Sequence, residues 1–456
     1  MTGLSSLSLA RLLLVAPAAV LAAVTVDVND AASIKKAAAV VAGDLMSLYT
    51  GETPGLLPGP PPDGAYYPWT GGALWTAMLD YRSRTGDTQY DAKISEGLAW
   101  QRGQNNDYLP ANWSASAGND DQSIWAMAAL LAAETGFIEP PADSLQWVTL
   151  AQNVFTEQSS TSRRVETGNC AGGLRWQIGL ANNGYNYVET LASAAYADLG
   201  VRLSVQDDNN QTQIKAALDT FKFLQTKKFI DSDFNVFSGA QAQDCSQVNK
   251  VQVSLTAALA LEAAALGYNA TGGAAEWKDL VSGLAGRTLE LFFPSGVATE
   301  IACEPSRCTT DMTFYKAYLH RAFATTIAAA PYTAGHVLPV LKLSAAAAVK
   351  TCTGGANKRM CDSVWSGGSS GMTGAGQQMS VLSALLSILP AEHETAGDNN
   401  NPTSSTGGGN ATNSQGASAA GSAKPSTTPG SSAGASTAVS GAVLLGSLLL
   451  AVGILN

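Results

Sequence analysis

Histidine is scarce: His320, His336 and His393 are the only three in 456 residues. No two cysteines stand at CxxC spacing either, so zinc and dithiol chemistry have no evident ligand set and no metal or cofactor is expected. Basic residues are in deficit, 26 Lys and Arg against 36 Asp and Glu, for a formal net charge of −10. Phosphate backbones need a basic footprint, so nucleic acid is excluded as a partner. Strand-like alternation is rare along the chain. No motif recurs at a fixed period, which argues against an open α-solenoid of the TPR or HEAT kind.

Apolar runs of membrane-spanning length are also missing. Residues 12–24 form a short apolar stretch after a single charge, Arg11, with Ala22 and Ala23 as small residues for cleavage. That is the pattern of a secretory signal, placed at 1–23. At the other end, 393–440 is rich in Gly, Ser and Thr and cannot bury enough apolar surface to fold, so it reads as a stalk. The uncharged tail 441–456 follows a small-residue patch at Gly430, Ser431 and Ser432. It falls short of the roughly 20 residues of a spanning helix and has no basic stop. It reads instead as a GPI-anchor signal that is removed and replaced by lipid. Both ends therefore predict passage through the endoplasmic reticulum and a place on the outer leaflet of the plasma membrane or in a cell wall.

What is present agrees with an oxidising compartment. The six cysteines, Cys170, Cys245, Cys303, Cys308, Cys352 and Cys361, are even in number. Cys303–Cys308 and Cys352–Cys361 are close enough to be local bridges. That leaves Cys170–Cys245 by elimination, one of the 15 connectivities that six cysteines allow. Glycosylation sequons stand at Asn112, Asn210, Asn269 and Asn410.

Between the ends, with 46% hydrophobic and only 14% charged residues over the whole sequence, the segment 24–392 reads as one domain of successive helices. Apolar residues at i, i+3, i+4 spacing predict helices over 32–49, 71–85, 90–103, 121–135, 145–157, 187–203, 211–227, 248–266, 274–291, 312–328, 335–349 and 376–389. Short extended pieces are predicted at 174–177 and 234–237. Twelve helices taken as six hairpins predict an all-α fold, the (α/α)6 barrel.

Aromatic and polar residues gather in the loops, where functional side chains concentrate. Tyr67 and Trp69, Trp125, and the cluster Arg175, Trp176, Tyr185 and Tyr187 offer flat faces and hydrogen-bonding groups suited to sugar rings. The most informative run is Asn119-Asp120-Asp121-Gln122, just ahead of an apolar helical stretch. Neighbouring Cα atoms lie about 3.8 Å apart. Two such carboxyls leaning into one cleft can reach the roughly 5–5.5 Å separation of a retaining glycosidase. An acidic pair at a helix start also serves as cap and dipole partner, and the surrounding polar and aromatic loop is what favours chemistry here.

Four separated stretches then resemble one family, the fungal cell-wall members of glycoside hydrolase family 76, known as mannan endo-1,6-α-mannosidases. They are Tyr108 to Trp113 running into NDDQ, CAGGLRWQ with NNGYNY from Cys170 to Tyr187, TDMTFYKAYLHR from Thr310 to Arg321, and Ser344 to Leu385. The resemblance implies an (α/α)6 barrel acting with retention on α-1,6-mannose chains. It assigns Asp120 as nucleophile and Asp121 as general acid and base. Donors such as Asn119, Gln122 or backbone N–H groups are expected to keep Asp120 ionised, and Asp311 is a candidate for substrate contact, with helix capping as its alternative. Two departures stand out. Tyr66-Tyr67-Pro68-Trp69 occupies a Tyr-Tyr-Trp-Trp stretch, and Val188-Glu189 stands where the family commonly has Lys-Asn. If that pair touches substrate, the departure implies a different branch, chain length or acceptor.

The expected partner is α-1,6-mannan or the mannose of a GPI glycan, with wall β-glucan as acceptor if the enzyme transfers rather than hydrolyses. The expected protein is a monomer tied to the membrane through GPI lipid. A wall protein that binds glycans without cutting them is the competing class.

Overall fold

In a computed structural model, the structure describes residues 23–59, 66–140, 145–306 and 308–390. The stalk, the tail and Asn410 lie outside them, as does the signal segment except for its last residue.

The described residues form twelve α-helices: α1 (Ala31–Met46), α2 (Trp69–Thr85), α3 (Asp91–Trp100), α4 (Asn119–Glu134), α5 (Trp147–Ser159), α6 (Thr190–Gln206), α7 (Gln211–Thr226), α8 (Ser254–Ala270), α9 (Ala275–Phe292), α10 (Tyr315–Ala329), α11 (Ala334–Lys350) and α12 (Ala375–Leu386). The even-numbered helices pack in a ring: α2 on α4, α4 on α6, α6 on α8, α8 on α10, α10 on α12, and α12 back on α2. The odd-numbered helices lie outside that ring, for example α5 against α4 and α6, and α7 against α6. This is the expected (α/α)6 arrangement.

Sequence separates the two layers. In α8 every residue from Ser254 to Ala265 is buried, as a helix that is apolar all round should be. Outer α7 buries only a stripe, Gln213, Ile214, Ala217, Thr220, Phe221 and Leu224. Small residues let the inner helices approach. A Cβ on Gly71 of α2 would lie 2.8 Å from the Trp125 ring of α4 and 2.3 Å from the Gly55 carbonyl. Charges inside the barrel are paired: Arg202 reaches Asp198 at 3.1 Å and Glu134 at 2.7 Å, and Arg321 reaches Glu262 at 2.7 Å.

Two predicted helices begin too early, because the segments before them are strands. Strands β1 (Tyr187–Glu189), β2 (Gly239–Gln241) and β3 (Val248–Asn249) form an antiparallel sheet in that order, with Glu189 opposite Gly239. The predicted extended piece at 174–177 is present as isolated bridges, Leu174 to Arg164, Arg175 to Val188 and Gln177 to Gly118. All three disulfides form as expected: Cys170–Cys245, Cys303–Cys308 and Cys352–Cys361. Asn112 and Asn269 are exposed. Asn210 is half-buried and caps α7, its side-chain oxygen accepting from the Thr212 N–H.

Candidate active site

Five of the six inner helices, α2, α4, α6, α8 and α10, present their N-terminal ends to one cleft of about 350 Å³. Its lining comes from the start of each: Tyr67 and Trp69 at α2, Asp120, Asp121 and Ile124 at α4, Glu189 and Leu191 at α6, Leu255 at α8, and Asp311 and Tyr315 at α10. Ser116, Trp176 and Gln177 complete the wall. Helix N-termini carry partial positive charge, so this end of the barrel favours carboxylates.

The Asp pair sits in the first turn of α4, half-buried and facing the cleft with both residues. Asp121, three residues into the helix, accepts at 2.7 Å from the N–H of the N-cap Gly118. Asp120 accepts at 3.2 Å from the Trp176 indole N–H, while its other oxygen, Oδ1, is buried without a hydrogen-bond partner in the protein. Gly118 is required here for space: a Cβ would stand 2.0 Å from that same Oδ1. Trp176 is held by its own backbone, its N–H donating to the Tyr187 carbonyl at 2.8 Å and its carbonyl accepting from Asn119 N–H at 2.7 Å.

Four carboxyls thus share one cleft whose lining holds no Lys, Arg or His. Burial, and then the charge of Glu189, push Asp120 well above the usual carboxylate range, against the backbone N–H groups of Asp121 and Asp120 and the Trp176 indole. Burial and the charge of Asp120 push Asp121 up as well, with only the Gly118 N–H opposing. Glu189 is pushed up to about 8 by burial and the Asp121 charge, and Asp311 up to about 6 by burial against the Trp69 indole. That indole donates to Asp311 at 3.1 Å. Such a cluster titrates as a unit. Within the adjacent pair, Asp120 has more donors aimed at it than Asp121.

The expected site is corrected in part. Asp120, Asp121, Tyr67, Trp69, Trp176 and Asp311 line the cleft. Asn119 and Gln122 do not reach Asp120; both are fully buried on the far side of α4. Asn119 donates to the Arg175 carbonyl and accepts from Arg163, while Gln122 donates to the Asp107 carbonyl and to Glu157. An α-helix turns about 100° per residue, so Asn119 and Gln122 lie opposite the face shared by Asp120 and Asp121. The same turn brings Ile124 onto the cleft face. Trp125 is fully buried, stacked at 5.8 Å on Tyr108 and donating to the Pro68 carbonyl. Arg175 sits over the Tyr185 ring at 4.3 Å, and Tyr187 bonds Ser238, so these three support the wall behind Trp176. Glu189 and Tyr315 were not anticipated as lining. Glu189 had been noted only as a departure from the family pattern.

His320 is structural, buried between the Lys316 carbonyl at 2.8 Å and the Ser344 hydroxyl at 3.0 Å, its pKa lowered to about 4 by burial. Among the described residues, no cluster of three or more His, Cys, Asp or Glu is arranged to hold a metal ion.

Residues 33–400 match the model of glycosyl hydrolase family 76. The mannan endo-1,6-alpha-mannosidase DCW1 of Candida glabrata is 34% identical over 391 residues, 85% of each chain. DCW1 of Saccharomyces cerevisiae is 34% identical over 392 residues, 85% of this chain and 86% of that one. Among solved structures, Dfg5 from Chaetomium thermophilum, in complex with glucosamine, is similar at 41% identity and a TM-score of 0.74, covering 81% of this chain and 94% of that one. The α-1,6-mannanase GH76A of Salegentibacter sp. HEL1_6 shares the fold, with a TM-score of 0.62 at 15% identity over 78% of this chain and 98% of that one.

Proposed function

The chain belongs to glycosyl hydrolase family 76 and is a glycoside hydrolase, and on that footing we propose that it cleaves internal α-1,6-mannosidic bonds with retention, using Asp120 and Asp121. The observation that carries this reading is that two adjacent carboxyls, differently partnered, open onto one cleft at the head of the inner helix ring.

Each step draws on a feature of the pair. The Asp120 carboxylate attacks the anomeric carbon as the bond from that carbon to the bridging oxygen breaks. Asp121 delivers its proton to the departing oxygen. The Trp176 indole and the α4 N-terminus stabilise the Asp120 carboxylate before attack. Asp121 holds its proton because burial and its neighbour's charge disfavour ionisation. In the second half Asp121, now ionised, takes a proton from water as that water attacks the anomeric carbon and frees Asp120.

Transfer to a sugar hydroxyl in place of water is a second reading. It is favoured by Tyr67, 55% exposed at the rim beside Trp69, which offers an acceptor ring an aromatic face. The donor is α-1,6-mannan or the mannose of a GPI glycan. The setting is the fungal cell surface, consistent with the three disulfides and the terminal sequence signals. Incubation with an α-1,6-mannooligosaccharide and a labelled β-glucan oligomer tests both branches. New reducing ends alone support hydrolysis, and label joined to mannose supports transfer. Neither product would reject the enzyme reading in favour of a glycan-binding wall protein.

A further inference from the structure

We propose that Glu189 contacts the bound glycan, its carboxyl taking a ring hydroxyl of the sugar at the scissile bond; this rests on the reading of the cleft given above. Glu189 is the last residue of β1 and directly precedes α6. Its backbone is pinned on both sides. The Glu189 N–H donates to the Leu174 carbonyl at 3.3 Å, and the Thr190 N–H donates to the Ser238 carbonyl at 3.0 Å. Its strand partner Gly239 adopts φ +143°, and a Cβ there would stand 2.1 Å from the Val188 carbonyl. So tight a pairing leaves the Glu189 backbone little freedom to withdraw its side chain from the wall it shares with Asp120 and Asp121.

The side chain is unfinished in the protein alone. Its Oε2 is buried and has no hydrogen-bond partner, as is the Oδ1 of Asp120 in the same cleft. Buried polar atoms are nearly always paired, and one aimed into a cleft points to a group the ligand brings. The titratable groups that share the cleft or its wall with it are Asp120, Asp121, Asp311, Tyr67, Tyr315 and Tyr187, none of them cationic. Glu189 therefore keeps its proton through neutral pH, with burial as the larger cause and the charge of Asp121 the second. A carboxyl in that form can donate through its O–H and accept through its carbonyl, as an asparagine amide does. Above its pKa the group loses its donor and adds a charge beside Asp120, and both changes weaken the hold on a neutral sugar.

Steady-state kinetics of the full-length protein on an α-1,6-mannooligosaccharide, from about pH 5 to about pH 9, test this. Glu189→Ala is expected to raise KM about tenfold, the scale of one lost hydrogen bond to a ligand, with a smaller effect on kcat. The unaltered protein is expected to show a rise in KM near pH 8, and Glu189→Gln to hold KM within about threefold of it at lower pH and to remove that rise. Melting curves at or above that of the unaltered protein are expected for both variants. A KM unchanged in Glu189→Ala, or equally raised in Glu189→Gln, would overturn the assignment. An unaltered protein that neither binds nor turns over the oligosaccharide would instead overturn the mannanase reading beneath it.

Discussion

Four acids in one cleft without a cation are costly to ionise, and that cost has a sign. The folded pKa of Glu189, about 8, lies above the roughly 4.3 of a free glutamate. Asp311, at about 6, likewise lies above the roughly 3.9 of a free aspartate. The native state therefore binds more protons than the unfolded chain between those values, and stability falls as pH rises through that window. Glu189→Gln should raise the melting temperature at pH 8 more than at pH 4.5, read by scanning calorimetry; a gain independent of pH would contradict the cluster. Asp120→Asn and Asp121→Asn should each reduce turnover by at least about 10³-fold while leaving the melting temperature equal or higher, measured by reducing-sugar release. The Asp pair was legible in the sequence because both acids fall in a first helical turn flanked by loop aromatics. Asn119, Gln122 and Trp125 were misassigned because nearness along the chain was taken for nearness in space. The helical turn sends Asn119 and Gln122 to Arg163 and Glu157. Arg163 is thereby a strut under α4, bonded to Asn119, Gln122 and Glu157.

At the scale of elements, twelve helices were visible because each repeats its apolar residues at the helical period. Their starts were less visible where a strand leads in, as Tyr187–Glu189 does before α6 and Val248–Asn249 before α8. Strands of two or three residues are too short to show alternation, so Glu189 could not be aimed at the cleft from sequence. The close approach of α2 to α4 yields a prediction at this scale. Gly71→Ala should destabilise by about 1–3 kcal/mol through overpacking, since its Cβ meets the Gly55 carbonyl and the Trp125 ring. A shift in the denaturant midpoint reads this, and an unchanged midpoint would show that the two helices can separate freely. Gly118→Ala should act differently, lowering kcat by displacing Asp120 while costing less in stability, because the crowded atom is the carboxylate Oδ1 itself.

For the whole molecule, the barrel explains why paired acids can serve as chemistry. Five of the six inner helices direct their N-termini at one cleft, and the inner helices bury Arg202 with Asp198, and Arg321 with Glu262. Arg202→Ala leaves Asp198, wholly buried, without its partner and should cost about 3–5 kcal/mol, seen as an earlier urea transition. The order of the ring was not legible, since periodicity marks helices without saying which ones touch. The two layers show in burial, α8 being buried almost all round and α7 only along a stripe. The central claim is that Asp120 becomes covalently bound to the sugar. The direct measurement is mass spectrometry of the protein after reaction with a fluorinated mannoside that slows release of the glycosyl-enzyme. The account predicts one added fluoromannosyl group on the peptide bearing Asp120, and its loss in Asp120→Asn. Label on another residue, or none in a preparation that cleaves mannan, would contradict it.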